Sequence, residues 1–144
     1  MVKTRCPSAD IHLMAAPLDR LALGDHAERL VAAWCGGTLA SRNNPGWDVR
    51  SPEHGRVQVK ARSRQTSKHL NWWHVSHLDR EGFDYLVCLL FDVNGDVEGA
   101  WGLSVAEVRL HAHSTVTGTS GKRTTKLAIR GEWKQHVAKI GLSS

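Results

Sequence analysis

Pro45-Gly46-Trp47-Asp48-Val49, followed further on by Gln58-Val59-Lys60, is the stretch on which the reading of this chain turns. Asn43-Asn44-Pro45-Gly46 carries turn chemistry, because Asn, Pro and Gly favour the bent backbone that strands avoid. Trp47 to Arg50 and Arg56 to Arg62 then read as two strands joined by Ser51-Pro52-Glu53-His54-Gly55. In the second, Arg56, Gln58, Lys60 and Arg62 alternate with Val57, Val59 and Ala61. A period of two sends the polar set to one face of the strand and the apolar set to the other. The hairpin therefore has an acid near the start of one arm and a polar-x-Lys pair on the other.

Upstream, Leu23, Ala27, Leu30, Val31 and Trp34 recur at the spacing of one helical face, and Gly36-Gly37 is a stop signal. Glu28 falls on the flank of that apolar face. Met1 to Pro17 show no clear period and are expected to form an N-terminal arm, with 18–144 a single domain. Thr38 to Ser41 reads as a short strand.

Downstream, Ser63 to Asp79 is polar and His-rich, and it is expected to be a loop with a helical turn. Asp84 to Asp92 is almost continuously apolar, the mark of a central strand buried on both faces. Asn94-Gly95 predicts a hairpin turn, and Val97 to Leu103 the returning strand. Ser104 with Glu107 forms a capping box that opens a short helix to about His111. Thr115 to Thr125 reads as a Thr/Gly/Ser loop, Lys126 to Arg130 as a last strand, and Glu132 to Ile140 as a last helix. The predicted class is α/β, a mixed sheet flanked by helices.

At 144 residues the chain has the length of one domain with a substantial core. Its net charge of +5 and sequence pI of about 9.4 favour a polyanionic partner, nucleic acid first. Three cysteines, widely spaced and without a CxxC pair, argue against a disulfide framework and against a Cys-rich zinc site. Cys88, in an apolar run, reads as a buried free thiol. A cytoplasmic location is expected. No apolar run approaches the roughly 20 residues of a membrane span, so no membrane partner is expected.

Hydrolysis of a phosphodiester in a metal site requires hard oxygen ligands, an activated water and positive charge beside the developing phosphorane. Asp48 offers a carboxylate, Gln58 a neutral amide oxygen and the Val59 backbone a carbonyl. Lys60 shares a face with Gln58 and is placed to orient a water or neutralise phosphate. Glu28 is a further carboxylate, suited to hold a metal-bound water.

Asp48 with Gln58-Val59-Lys60 resembles the PD-(D/E)XK nuclease motif, and the element order resembles the restriction-endonuclease-like αβββαβ core. The helix carrying Glu28 resembles the first helix of Holliday-junction-resolvase-like and methyl-directed restriction-endonuclease-like members. The likeness covers roughly Leu18 to Leu110. It implies a Mg²⁺-dependent DNA endonuclease, with Mn²⁺ able to substitute, acting as a homodimer. The implied catalytic residues are Glu28, Asp48, Gln58 and Lys60, and the implied metal ligands are Asp48, Gln58, Val59 and Glu28. Restriction or defence, homing, and branched-DNA processing all fit, with a recognition partner protein as one route to specificity. Two positions depart from the motif. Gly46-Trp47 separate Pro45 from Asp48, and Gln58 stands where a second acid is usual, a substitution some branches tolerate. The neutral amide lowers the expected metal affinity and favours an alternative, an inactive DNA-binding or assembly module on the same fold.

Arg56, Arg62, Arg64 and Lys68 extend the basic face and are candidate phosphate contacts. Trp72 and Trp73 are candidates for base stacking, or else core residues. Lys122 and Arg123 sit in a basic loop that lacks P-loop spacing. The nine histidines show neither HExxH nor finger spacing.

Overall fold

The computed structural model describes residues 20–41, 46–67, 72–75, 82–117, 122–128 and 138–139. The expected arm, Met1 to Pro17, lies outside them. Helix α1 runs Arg20–Cys35 and is followed by strands β1 (Thr38–Leu39), β2 (Val49–Ser51), β3 (Gly55–Ser63), β4 (Trp72–His74), β5 (Tyr85–Phe91) and β6 (Val97–Ser104). Helix α2 (Val105–His111) then leads to β7 (Ala112–Thr117), β8 (Lys122–Ala128) and β9 (Ala138–Lys139). The fold is mixed α/β. A six-stranded sheet has the order β1-β2-β3-β5-β6-β9, and β4-β8-β7 form a second, three-stranded sheet. No helix among the described residues is long and apolar enough to cross a membrane.

α1 buries Leu23, Ala27 and Val31, spaced four apart, with Leu30 and Trp34 partly buried beside them. It ends because Gly36 takes φ +63°, which lets the Gly37 N–H reach back to the Ala32 carbonyl at 2.9 Å. That is the Schellman arrangement, in which glycine avoids the steric penalty of left-handed backbone.

β1, β2 and β3 form an antiparallel meander, and β5 then lies parallel to β3, with Val57 opposite Tyr85 and Ser63 opposite Phe91. β6 returns antiparallel to β5. β5 is the apolar run expected to be central, and Leu86 to Phe91 are all buried. One of its faces joins Val49, Val57 and α1; the other joins Trp73, Trp101, Val108 and Leu127. Burial of each large apolar side chain contributes about 1.5–3 kcal/mol, so this strand is the main anchor of both cores. The turn into β6 is fastened by Asp92, whose Oδ1 accepts from Asn94 N and Asp96 N at 2.8 and 3.0 Å. The capping box of α2 is formed in both directions, Glu107 N to Ser104 Oγ and Ser104 N to Glu107 Oε1.

Four sequence expectations are corrected. Within Ser63 to Asp79, expected to be a loop with a helical turn, Trp72–His74 is a strand paired with β8. The crossover from β3 to β5 thus contributes a strand to the second sheet among its described residues, where the αβββαβ order expects a helix. Thr115 to Thr125 is not a loop throughout, since β7 and β8 pair from Ala112 opposite Leu127 to Thr117 opposite Lys122. Its β-branched threonines suit a pleated strand. The strand expected from Lys126 accordingly begins at Lys122, and β9 follows it. Of the expected helix Glu132 to Ile140, the described part, Ala138–Lys139, is a strand on the edge of β6; the rest lies outside the described residues.

Candidate active site

β2 is only three residues long, and its shortness creates the site. Val49 pairs with Val57, and the Asp48 N–H still reaches the Val57 carbonyl at 2.8 Å. Beyond that point β3 continues without β2 beside it. The Val59 N–H is met there by the Asp48 side chain, with Oδ2 accepting at 2.8 Å. The carboxylate therefore lies at the end of β2, in line with the sheet, where it can be approached from both faces. A residue in extended backbone projects its N–H and C=O to the same side, so the Val59 carbonyl is directed to the Asp48 side of β3 as well.

Two side chains approach from opposite sides. Glu28, half-buried on α1, comes from the helix face. Burial, then the charges of Asp48 and Asp25, push its carboxyl up to about 7. Asp48 is also raised by burial, but the Val59 N–H and the Lys60 ammonium pull it back. Glu28 therefore titrates against the negative charge of Asp48. Lys60 comes from the other face, where it is paired in register with Cys88. Burial raises the Cys88 thiol despite Lys60 and Arg62, so it is an inert core group.

Gln58 lies on the Lys60 face, paired with Leu86, and is only 4% exposed. Its Nε2 donates to the Gly46 carbonyl at 3.0 Å, and its Oε1 is buried without a hydrogen-bond partner. Gly46 holds φ +93°, and a Cβ there would stand 2.9 Å from the Gly82 carbonyl. The turn into Asp48 is therefore clamped from two sides, by Gln58 and by Gly82.

These donors suit a small, hard divalent cation. Two carboxyls are crowded enough for one to raise the other, and a buried amide oxygen lacks a partner; a cation bound among them would relieve both conditions. Asp48, Glu28, Gln58 Oε1 and the Val59 carbonyl are the groups that would hold it. Among the described residues no three His, Cys, Asp or Glu side chains converge, so such a site would depend on the neutral oxygens.

The other candidates are differently placed. Arg56 is fixed on Asp84, which accepts from its backbone N, Nε and a terminal nitrogen at 2.8, 3.0 and 3.0 Å. Arg64 is bidentate with Glu98, both contacts at 2.6 Å. Trp73 is 2% exposed and packs near Trp101, so its ring belongs to the core and is closed to a base. Trp72 is half-buried on the opposite side of β4, with Arg62 and Lys126 over its ring at 4.5 and 4.6 Å. Lys122 and Arg123 belong to β8, but their side chains, like Lys68 as a whole, lie outside what is described. Sequence reasoning missed His74 and Lys126, which the β4–β8 pairing sets opposite each other. The strand propensity of Trp72-Trp73 was the available signal. It also missed Asp25, one helical turn from Glu28, as a charge acting on the site.

No protein-family model matches the sequence, and no curated protein matches it.

Proposed function

We propose that this chain is a metal-dependent DNA endonuclease of the PD-(D/E)XK kind, built on a restriction-endonuclease-like core. The observation that carries the reading is Asp48 between two groups that reach it from opposite faces of β3: Glu28, which burial and then the Asp48 charge raise to about 7, and Lys60, whose charge lowers the Asp48 pKa. Asp48 serves the fold through the Val59 N–H, but Glu28 held near neutrality beside it serves no such bond among the described residues, and a divalent cation would relieve its repulsion from Asp48. The order α1-β1-β2-β3, with an antiparallel meander followed by a parallel strand, also supports it.

A bound Mg²⁺ or Mn²⁺ would supply charge to the scissile phosphate and lower the pKa of its water. The residues of the chain divide the remaining work. Asp48, fixed by the Val59 N–H, presents a ligand oxygen without reorganisation. Glu28, titrating near neutrality, holds a water or accepts its proton at the carboxylate. Lys60 places positive charge where the phosphorane gains negative charge. A single site cuts one strand, so a homodimer is the expected working form on duplex DNA.

A second reading, an inactive DNA-binding module, is favoured by one feature: Gln58 is neutral and already spends its Nε2 on Gly46. Incubation of the protein with supercoiled, linear and branched DNA in Mg²⁺, Mn²⁺ or EDTA separates the two. Metal-dependent nicking that is lost in Asp48→Ala and Lys60→Ala supports the enzyme. Intact DNA under every condition, with salt-sensitive binding retained, supports the module.

A further inference from the structure

The second sheet has an outer face that the catalytic residues do not use. Along β4, Trp73 points into the core, so Trp72 and His74 point outward. His74 is opposite Lys126 on β8, and Lys126 is opposite His113 on β7. Residues directly opposite in antiparallel strands share a face, and all three are exposed. A row His113–Lys126–His74 therefore crosses the sheet. Beside it, the Trp72 ring receives Lys126 at 4.6 Å and Arg62 of β3 at 4.5 Å, and His74 meets the ring edge-on at 4.8 Å. Burial, then the positive charges of Arg62, Lys126 and Lys60, hold the His74 pKa below the usual imidazole value, so near neutral pH it offers a phosphate an N–H donor and the cations of the face are Arg62 and Lys126. Arg62 lies two residues along β3 from Lys60, whose charge acts on Asp48, so this surface continues the face of β3 that leads to that carboxylate.

We propose that Arg62, His74 and Lys126, gathered around the Trp72 ring, with His113 opposite Lys126, form a phosphate-binding shelf that holds the DNA backbone next to the scissile bond. The choice of DNA rests on the nuclease reading above. Like charges brought together on an exposed face repel one another, and a line of backbone phosphates relieves that repulsion while releasing counterions. Trp72 acts through its neighbours. Its π face attracts both cationic heads, restricting two long side chains that would otherwise lose entropy on binding. It is a positioning residue, not a stacking platform. Arg56 and Arg64 are each bidentate on a carboxylate and are not part of the shelf.

The test is fluorescence anisotropy with a short labelled DNA duplex in EDTA, so that binding is read apart from cleavage, across a salt series. Lys126→Ala should weaken binding about 3- to 10-fold and reduce the log–log salt slope by about 0.9, the value for one phosphate contact. Lys126→Arg should restore both. Trp72→Ala should weaken binding, and Trp72→Phe should recover most of it, with folding of each variant followed by circular dichroism. Affinity and slope unchanged in Lys126→Ala and Lys126→Glu would overturn the shelf while leaving the nuclease reading standing. Tighter binding of an RNA duplex of the same sequence, or no binding of DNA at all, would overturn the shelf and the DNA-nuclease reading together. Loss of cleavage with the shelf's salt slope intact would remove the nuclease reading and keep the shelf.

Discussion

The Asp48 carboxylate occupies the place of a strand: its Oδ2 takes the Val59 N–H at 2.8 Å, where the backbone of β2 no longer runs. A functional group is thereby built into the ladder. Removing it has two separable effects. Asp48→Asn keeps an acceptor for Val59 and removes a buried charge, so its melting temperature should equal or exceed that of the wild type. Asp48→Ala leaves the N–H unsatisfied, at a cost of about 1–3 kcal/mol. Cleavage should fall at least about 100-fold in both. Thermal melts beside nicking assays check this, and an Asn variant that melts well below wild type would show that the charge serves stability.

Glu28 should leave a pH signature. Its folded pKa of about 7 stands above the ordinary 4.5, so the folded state binds the proton more tightly. This contribution to stability is complete below pH 4.5 and is lost as pH rises through 7. Glu28→Gln should therefore match wild type near pH 5 and exceed it at pH 8. The difference should be about 1 kcal/mol, or ~3 °C, once the partial exposure of the group is allowed for. Melting curves across that range test it. Metal affinity should run the other way, rising with pH as Glu28 ionises, and the Gln variant should flatten the rise seen by calorimetry with Mn²⁺.

Much of this was legible in the sequence because it is local. The alternation of Val57, Val59 and Ala61 with Gln58 and Lys60 fixes which side chains share a face, and the helical period of Leu23, Ala27 and Val31 places Glu28 on the flank. β4 is three residues long, too short to display a period. Adjacent Trp72 and Trp73 take opposite fates because a strand sends neighbours to opposite faces. β7 and β8 carry Thr and Lys where an apolar alternation would have marked them. Ala138–Lys139 is drawn into pairing by the edge of β6, a tertiary effect that overrides the helical spacing of its segment. Gln58 was read as facing the site, but its grip on Gly46 depends on a turn twelve residues away.

Arg64 should contribute little to nucleic-acid binding. Its guanidinium is bidentate on Glu98 at 2.6 Å, and that hydrogen bonding raises its already high pKa. A phosphate would have to displace a carboxylate already in geometry. Arg64→Ala should change DNA affinity less than about two-fold. The same anisotropy titration reads this, and a loss comparable with Lys126→Ala would place Arg64 on the DNA path.

Gly46 should tolerate no side chain. Its φ of +93° strains any L-residue, and a Cβ would press on the Gly82 carbonyl at 2.9 Å. Gly46→Ala should cost about 1–3 kcal/mol. Because Gly46 also accepts the Gln58 amide, the variant should lose more cleavage than stability when assayed well below its melting point. Equal activity per folded molecule would separate the turn from the site.

Gln58→Glu tests whether the neutral oxygen is a ligand. The substitution replaces the donor held by Gly46 with a second acceptor, so an N–H···O contact becomes two oxygens facing each other at the 4% exposed position. Without metal the variant should be destabilised by about 2–4 kcal/mol, the penalty of a buried, unpaired polar group. A divalent cation beside Asp48 would reverse the sign locally, because a carboxylate binds it more strongly than an amide. The expected result is a low melting temperature in EDTA that Mn²⁺ raises by more than it raises the wild type. Gln58→Met, of similar volume, removes the oxygen together with the donor to Gly46, so it should melt below wild type and respond least to Mn²⁺. Equal responses to Mn²⁺ in all three proteins would show that Gln58 only clamps the turn, leaving the cation to Asp48 and Glu28.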